Sequence, residues 1–109
     1  MSLRLYIWQR LTAALMAPLV LVHVAVIFYA SRKGLSAADI LGRTRGSIMW
    51  ASFYGAFVAA VAIHASIGLR NVLIEWSPVG ERPAAMFSIA FGLLLIVLGL
   101  RAVAAVVLP

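Results

Sequence analysis

Three long apolar stretches dominate the pattern of hydrophobic and polar positions along the chain, and Arg101 is the only charged residue within them. A helix needs about 20 apolar residues to cross the hydrocarbon core of a bilayer. The pattern therefore predicts an all-α membrane protein, a single transmembrane domain over residues 1–109. Its three transmembrane helices are predicted at about residues 11–30, 47–75 and 83–108.

The polar segments between these stretches predict where the helices begin. Residues 1–10, MSLRLYIWQR, mix apolar and polar positions and are expected to form a short amphipathic lead-in to the first helix. Ser36 and Asp39 have the spacing of a capping box, which predicts a brief surface helix in the first loop. Ser47 is the expected N-cap of the second membrane helix, and Pro83 suits the first position of the third.

Small residues recur at helical spacing in the second and third predicted helices. Such spacing lets helix backbones approach closely in lipid, although it is also what a chain rich in alanine and glycine shows without any special packing. The positions are Ala51, Gly55 and Ala59 in one helix, and Ser88, Gly92 and Gly99 in the other.

Composition and charge exclude several classes of function. Of the 109 residues, 65% are hydrophobic and 11% are charged, against about 45–50% and about 25% in soluble domains. The net charge of +6 comes mostly from arginines in the ends and loops between apolar stretches, which is typical of a membrane protein and argues against nucleic-acid binding. The chain has no cysteine, so it cannot itself hold a c-type heme, an iron–sulfur cluster or a disulfide.

Two histidines fall inside predicted membrane helices, where an imidazole is costly and usually has a specific partner. Gly68 follows His64 by one helical turn on the same face, and the missing side chain leaves room for a flat cofactor. We interpret His64 as an iron ligand of heme, with a histidine bonded to a neighbouring helix as the alternative. His23 lies roughly 10 Å deeper from the same membrane side, so the two histidines are not expected to share one iron.

Several polar side chains gather on the membrane side nearer to His64. Heme propionates are anions that arginine can bind, which makes Arg10 a candidate, with snorkelling to the headgroups as the alternative. A quinone headgroup needs hydrogen-bond donors close to the interface. Candidates to supply them, or to lie beside them, are Thr12, Glu75, Trp76 and Ser77.

Two runs of the sequence resemble a known family. Residues 64–76, HASIGLRNVLIEW, resemble the second-helix signature of the small cytochrome b anchor subunits of succinate dehydrogenase and fumarate reductase. That signature has a histidine, a glycine four residues later, an arginine or polar pair, and then an acidic-aromatic pair. Residues 10–23, RLTAALMAPLVLVH, resemble the first-helix pattern, and three helices in just over 100 residues match the size of these subunits.

The resemblance implies a role for individual residues. It implies that His64 is an axial ligand of heme b and that Arg10 and Thr12 lie near a propionate or the quinone. The family's acidic-aromatic pair, usually Asp-Tyr, falls on Glu75 and Trp76, so an indole N–H replaces the tyrosine hydroxyl thought to bond a quinone carbonyl. Some relatives hold two hemes, the second bound by a first-helix histidine, which would be His23 here.

The family also implies a place in a larger assembly. The chain would be a membrane anchor of a succinate:quinone oxidoreductase that holds heme b, one or two, and part of the quinone site, without oxidising the dicarboxylate itself. Expected partners are a second membrane anchor, an iron–sulfur subunit and a flavoprotein subunit, in the inner (cytoplasmic) membrane with the N-terminus in the cytoplasm. The alternatives are a heme-free structural anchor and a small multidrug-type transporter, which would need an intramembrane carboxylate.

Overall fold

The computed structural model describes residues 2–108 and confirms an all-α membrane protein. Three of its helices are long and apolar enough to span a bilayer, as the apolar stretches predict. The elements are α1 (Leu3–Lys33), α2 (Ala37–Thr44), α3 (Ile48–Trp76) and α4 (Glu81–Val107).

Helix α1 begins eight residues earlier than the apolar stretch indicates. Ser2 has an extended backbone and its hydroxyl accepts a hydrogen bond from the N–H of Leu5, which starts the helix at Leu3. The amphipathic lead-in is therefore the first part of α1 and not a separate element. The helix ends at Lys33 and is capped by Gly34, whose φ of 65° is favoured by glycine.

The short surface helix predicted in the first loop is α2, and its capping box is present. The Ser36 hydroxyl accepts from the N–H of Asp39, and the Asp39 carboxylate accepts from the N–H and the hydroxyl of Ser36. The backbone N–H of Ser36, followed by its hydroxyl, holds the pKa of Asp39 below its ordinary value of 3.8. Because these bonds favour the carboxylate, α2 is capped fully only while Asp39 is ionised.

We expect the α2 cap to weaken in acid. A carboxyl whose pKa is lower in the folded state stabilises that state above its unfolded pKa, and the contribution is lost as the pH falls through the folded pKa. Protection of the α2 amides from hydrogen exchange should therefore fall below about pH 4. Ser36→Ala should move the pKa of Asp39 toward its ordinary value, as followed by NMR titration of the carboxyl carbon. The matched change Ser47→Ala, at another helix N-cap, should leave that pKa unaltered.

The two remaining helix starts also follow from local capping. Ser47 caps α3, as predicted, by accepting from the N–H of Trp50. The predicted position of Pro83 is wrong by two residues, because α4 begins at Glu81 after the extended Gly80, so proline is its third residue. Proline is tolerated there because no N–H of the first turn has a partner within the helix.

Helix α3 packs antiparallel against both α1 and α4, which flank it. The inward face of α1 includes Gln9, Thr12 and His23, separated by whole turns of the helix, while most of its other side chains are exposed. We call the end of the bundle with the start of α1 and the last part of α3 the His64 end. The opposite end, which carries α2, is the α2 end.

Two glycines of α4 allow its close approach to α3. A Cβ atom added at Gly92 would lie 3.1 Å from the Ser66 Cβ, and one added at Gly99 would lie 2.5 Å from a methyl carbon of Val58. A Cβ at Gly55, in contrast, would meet no atom of the described chain within 4 Å. Gly92 and Gly99 of α4 therefore lie at the contact with α3, whereas Gly55 makes no close contact with the described part of this chain.

The last residue of α2 and the loop that follows it bond the carbonyls in the last turn of α4 at the α2 end. The buried Thr44 hydroxyl donates to the carbonyl of Val106 at 2.6 Å, and the N–H of Gly46 donates to the carbonyl of Val107 at 2.7 Å. These carbonyls have no partner within their own helix. Beside them, the Arg43 guanidinium carbon lies 4.6 Å from the centre of the Trp50 ring, a cation–π contact that packs α2 against the start of α3.

Candidate functional site

The half-buried imidazole of His64 faces α1, where it meets one main-chain carbonyl and one hydroxyl. Its Nδ1 atom lies 3.2 Å from the carbonyl oxygen of Gln9 and 3.4 Å from Oγ1 of Thr12. Both partners come from one turn of α1, so the packing of α1 on α3 sets the position of the ring.

The carbonyl of Gln9 determines which ring nitrogen carries the proton. A carbonyl oxygen can only accept, so Nδ1 must be the protonated nitrogen for this hydrogen bond to form. In the neutral ring the lone pair is then on Nε2. Histidines that bind metals through one nitrogen almost always donate the other N–H to a carbonyl, a carboxylate or water. The surroundings of His64 therefore fit an iron ligand that coordinates through Nε2.

Gln9 is a site residue that the sequence analysis missed. Its side-chain amide lies over Gly68, at 3.6 Å from the position a Cβ would take there, and its Oε1 accepts from Asn71 at 3.5 Å. The Gln9 amide thus lies in part of the space that the sequence predicted for a flat cofactor. Because 3.6 Å is an ordinary van der Waals distance, Gly68 is not required for the approach of α1. A polar residue three positions before Thr12, on the same face, was the available signal.

Thr12 lies at the centre of this contact and is only 5% exposed. Its hydroxyl is within 2.8 Å of the Trp8 carbonyl and 3.0 Å of the Gln9 carbonyl, so its hydrogen stays within α1. Thr12 is beside the imidazole, as a site residue should be. Its buried hydroxyl is placed to support His64 rather than to donate to a quinone.

His23 has a different environment, close to the α2 end. Its ring makes edge contacts with Tyr54 and Phe57, at centroid distances of 6.2 and 5.3 Å, and its Nδ1 is buried with no hydrogen-bond partner among the described residues. It lines an apolar cavity of about 290 Å³ that extends to Gly99. Without an acceptor at Nδ1 among the described residues, His23 lacks the hydrogen bond that orients the imidazole of His64.

The two histidines occupy different levels of the bundle. His64 is level with Thr12, whereas His23 follows Thr12 by eleven residues, or about 16 Å along α1 at about 1.5 Å per residue. Two axial ligands must reach one iron from opposite sides at nearly equal depth. Within this chain, His23 and His64 are not placed to do so.

Arg10 follows Gln9 directly and so lies near the level of His64, but it points away from α3. It is exposed, and its guanidinium carbon lies 5.8 Å from the centre of the Tyr6 ring. Tyr6 and Arg10 are one turn apart, so the ring supports the arginine along the outer face of α1. The guanidinium is thereby held at the surface of the bundle, free to meet an anion brought by another molecule.

Three of the four residues predicted near a quinone lie together at the end of α3, and the fourth, Thr12, lies in α1. Glu75 and Trp76 are exposed, and Trp76 is 82% exposed as the last residue of the helix. Ser77 follows as the C-cap; its hydroxyl donates to the carbonyl of Leu73 and accepts from the N–H of Val79. The indole N–H of Trp76 is therefore better exposed as a donor than the hydroxyl of Ser77.

The three carboxylates of the chain all lie outside the interior of the bundle. Asp39 is in α2, Glu75 is in the last turn of α3, and Glu81 is the first residue of α4, and all three are exposed. A transporter coupled to protons by an intramembrane carboxylate needs such a group at depth. The described chain offers none there.

Comparison with known protein families identifies the family to which this chain belongs. The family model described as succinate dehydrogenase/fumarate reductase transmembrane subunit matches residues 2–106. The chain belongs to this family. No curated protein and no solved structure matches it.

As a succinate dehydrogenase/fumarate reductase transmembrane subunit, the chain is a multi-pass membrane component of a complex with further subunits. Its match runs from the start of α1 to the last turn of α4. Both the Gln9–His64 contact and the exposed end of α3 lie inside the matched region.

Proposed function

We propose that this chain is the cytochrome b anchor of a succinate:quinone oxidoreductase and binds heme b through Nε2 of His64. The observation that carries the proposal is the hydrogen bond from Nδ1–H of His64 to the carbonyl of Gln9. Because Nδ1 carries the proton in this hydrogen bond, Nε2 keeps its lone pair for the iron, and the bond fixes the direction of that lone pair.

If the heme iron has a second protein ligand, that ligand would come from another polypeptide. His23 is the only other histidine of the chain, and its contacts with Tyr54 and Phe57 hold it on a different level. The heme would then lie between this subunit and a second membrane anchor. We assign one heme to that interface; a second heme at His23 is the alternative, and its unpartnered Nδ1 argues against it.

Bound there, heme b supplies a one-electron carrier within the membrane. The chain's own part is to hold and orient. His64 provides the ligand atom, and the buried contact of Thr12 with the ring excludes water from its Nδ1 side. Arg10, exposed near the same level, is the residue we assign to a propionate, because guanidinium pairs well with carboxylates.

The quinone site in this proposal lies at the exposed end of α3. Trp76 would donate its indole N–H to a quinone carbonyl, with Glu75 beside it, in the place where the family usually has tyrosine and aspartate. Electrons would reach the quinone from an iron–sulfur subunit docked at the His64 end. The dicarboxylate reaction belongs to a flavoprotein partner, and the isolated chain catalyses nothing.

We expect Trp76→Phe to weaken quinone binding without removing heme. The substitution keeps an aromatic ring but deletes one neutral hydrogen-bond donor, which is worth about 0.5–1.5 kcal/mol, or an increase in KM for quinone of about 2- to 10-fold. The measurement is quinone-dependent oxidation of the dicarboxylate by the purified complex. Trp8→Phe, at another exposed tryptophan of the His64 end, is the matched control and should retain the wild-type KM. Equal KM values for both variants would remove Trp76 from the quinone site.

The heme assignment is tested by the reduced-minus-oxidised absorbance spectrum of the complex purified through this chain. A b-type band, together with co-purified flavoprotein, iron–sulfur and second anchor subunits, is the expected result. The same subunits without a b-type band would favour a heme-free anchor and refute the assignment.

A further inference from the structure

Thr12 lies between His64 and two carbonyls of its own helix. Its Oγ1 is 2.8 Å from the carbonyl oxygen of Trp8, 3.0 Å from that of Gln9 and 3.4 Å from Nδ1 of His64. The role near a propionate or the quinone, which the family resemblance implies for Thr12, does not explain its contact with the imidazole. The contact therefore calls for an account of its own.

The direction of each hydrogen bond follows from the atoms present. The Thr12 hydroxyl has one hydrogen, and the carbonyls of Trp8 and Gln9 can only accept it. With that hydrogen directed to a carbonyl, an oxygen lone pair of Thr12 remains for Nδ1–H of His64. The imidazole N–H is thus shared between two acceptors of α1, the Gln9 carbonyl and the Thr12 hydroxyl.

The position of the Thr12 hydroxyl is restricted both by its rotamers and by its burial. Thr12 is branched at Cβ, so few rotamers are open to it in a helix, and those that remain bond the preceding turn. At 5% exposure it is enclosed by the α1–α3 contact. A fixed acceptor on one side of Nδ1–H restricts rotation of the imidazole ring about the Cβ–Cγ bond of His64.

We propose that Thr12 is a positioning residue for His64, which together with the Gln9 carbonyl fixes the tautomer and the plane of the imidazole. The role of Thr12 rests on the proposed function, because its expected effects are on the properties of the heme iron. Acceptors that bond Nδ1–H make Nε2 a stronger electron-pair donor to the iron, and this stabilises the ferric state relative to the ferrous state. Loss of the Thr12 acceptor should raise the heme midpoint potential and let the ring plane turn.

The test uses the complete complex in three forms: wild type, Thr12→Val and Thr12→Ser. Valine has nearly the shape of threonine without the hydroxyl, and serine restores the hydroxyl. We expect Thr12→Val to keep its b-type band, with a higher midpoint potential in redox titration and an altered low-field g value in the EPR spectrum of the ferric heme. Thr12→Ser should return both quantities toward wild type.

Ser88→Ala is the matched control. Ser88 is a second buried hydroxyl bonded to a carbonyl four residues earlier, Ala84, but it lies in α4 away from the imidazole. Its removal should leave both the potential and the g value unchanged. A change as large as that of Thr12→Val would show that any loss of a buried hydroxyl has this effect, and would overturn the proposal.

The remaining outcomes are also distinct. A Thr12→Val complex with wild-type potential and g value would refute the role of Thr12 while leaving heme at His64. A wild-type complex with no b-type band would refute the proposed function itself. If Thr12→Val fails to assemble, Thr12→Ala gives the same comparison with a smaller side chain, and wild-type values in that variant would refute the role.

Discussion

Replacing His64 with alanine is expected to abolish the b-type absorbance band of the purified complex. No other histidine of the chain lies at the level of the Gln9 carbonyl, so nothing within the chain can replace the lost ligand. Heme content per copy of this chain should fall from one to near zero. The measurement is the reduced-minus-oxidised spectrum together with extracted heme, normalised to the amount of assembled complex.

His23→Ala is the matched control for this result. It removes an imidazole nearer to the α2 end, where the ring contacts Tyr54 and Phe57 and Nδ1 has no hydrogen-bond partner among residues 2–108. We expect the b-type band to remain at full height. Loss of half the heme in His23→Ala would show a second heme at that position. An undiminished band in His64→Ala would contradict the assignment of the ligand.

Gly99→Ala is expected to destabilise the contact between α3 and α4. The new Cβ would come within 2.5 Å of a Val58 methyl carbon, which is much closer than packed carbons approach, and the branched Val58 side chain has few alternative rotamers in a helix. Overpacking of this kind costs about 1–3 kcal/mol, and the better helix propensity of alanine offsets about 1 kcal/mol at most. The unfolding of the purified chain in detergent, followed by far-UV circular dichroism, measures the difference.

Two further variants separate this clash from a general effect of glycine replacement. Gly55→Ala places a Cβ where no atom of the described chain lies within 4 Å, and should be neutral or slightly stabilising. Val58→Ala combined with Gly99→Ala removes the methyl groups that the new Cβ would meet, so the double variant should recover part of the loss. If Gly55→Ala and Gly99→Ala behaved alike, the close approach at Gly99 would be wrong.

Much of the fold follows from composition and capping, because both act locally. Apolar stretches with at most one charge, each long enough to cross a bilayer as a helix, predict membrane helices. The Ser36 and Ser47 caps can also be predicted from the sequence. The start of α1 is less readily predicted from the sequence. Its boundary is set by the Ser2 cap, whereas hydrophobicity reports where the membrane begins and not where the helix does.

The site was predictable only in part, because its central contact is made by main chain. The depth of His64 and its spacing to Gly68 and Asn71 follow from the period of the helix. The carbonyl of Gln9 has no sequence signature, and the register of α1 on α3 that brings it to the imidazole depends on packing along the whole helix pair. The same register places the Gln9 amide in part of the space beside Gly68, which no spacing rule within α3 could reveal.

The hydrogen bonds from Thr44 and Gly46 to the carbonyls of Val106 and Val107 carry a consequence for biosynthesis. They join parts of the chain some sixty residues apart. These bonds can therefore form only after the whole of α4 has been synthesised. Until the last turn of α4 reaches the first loop, Thr44 and Gly46 lack these partners, so the α2 end is the last part of the bundle to be completed.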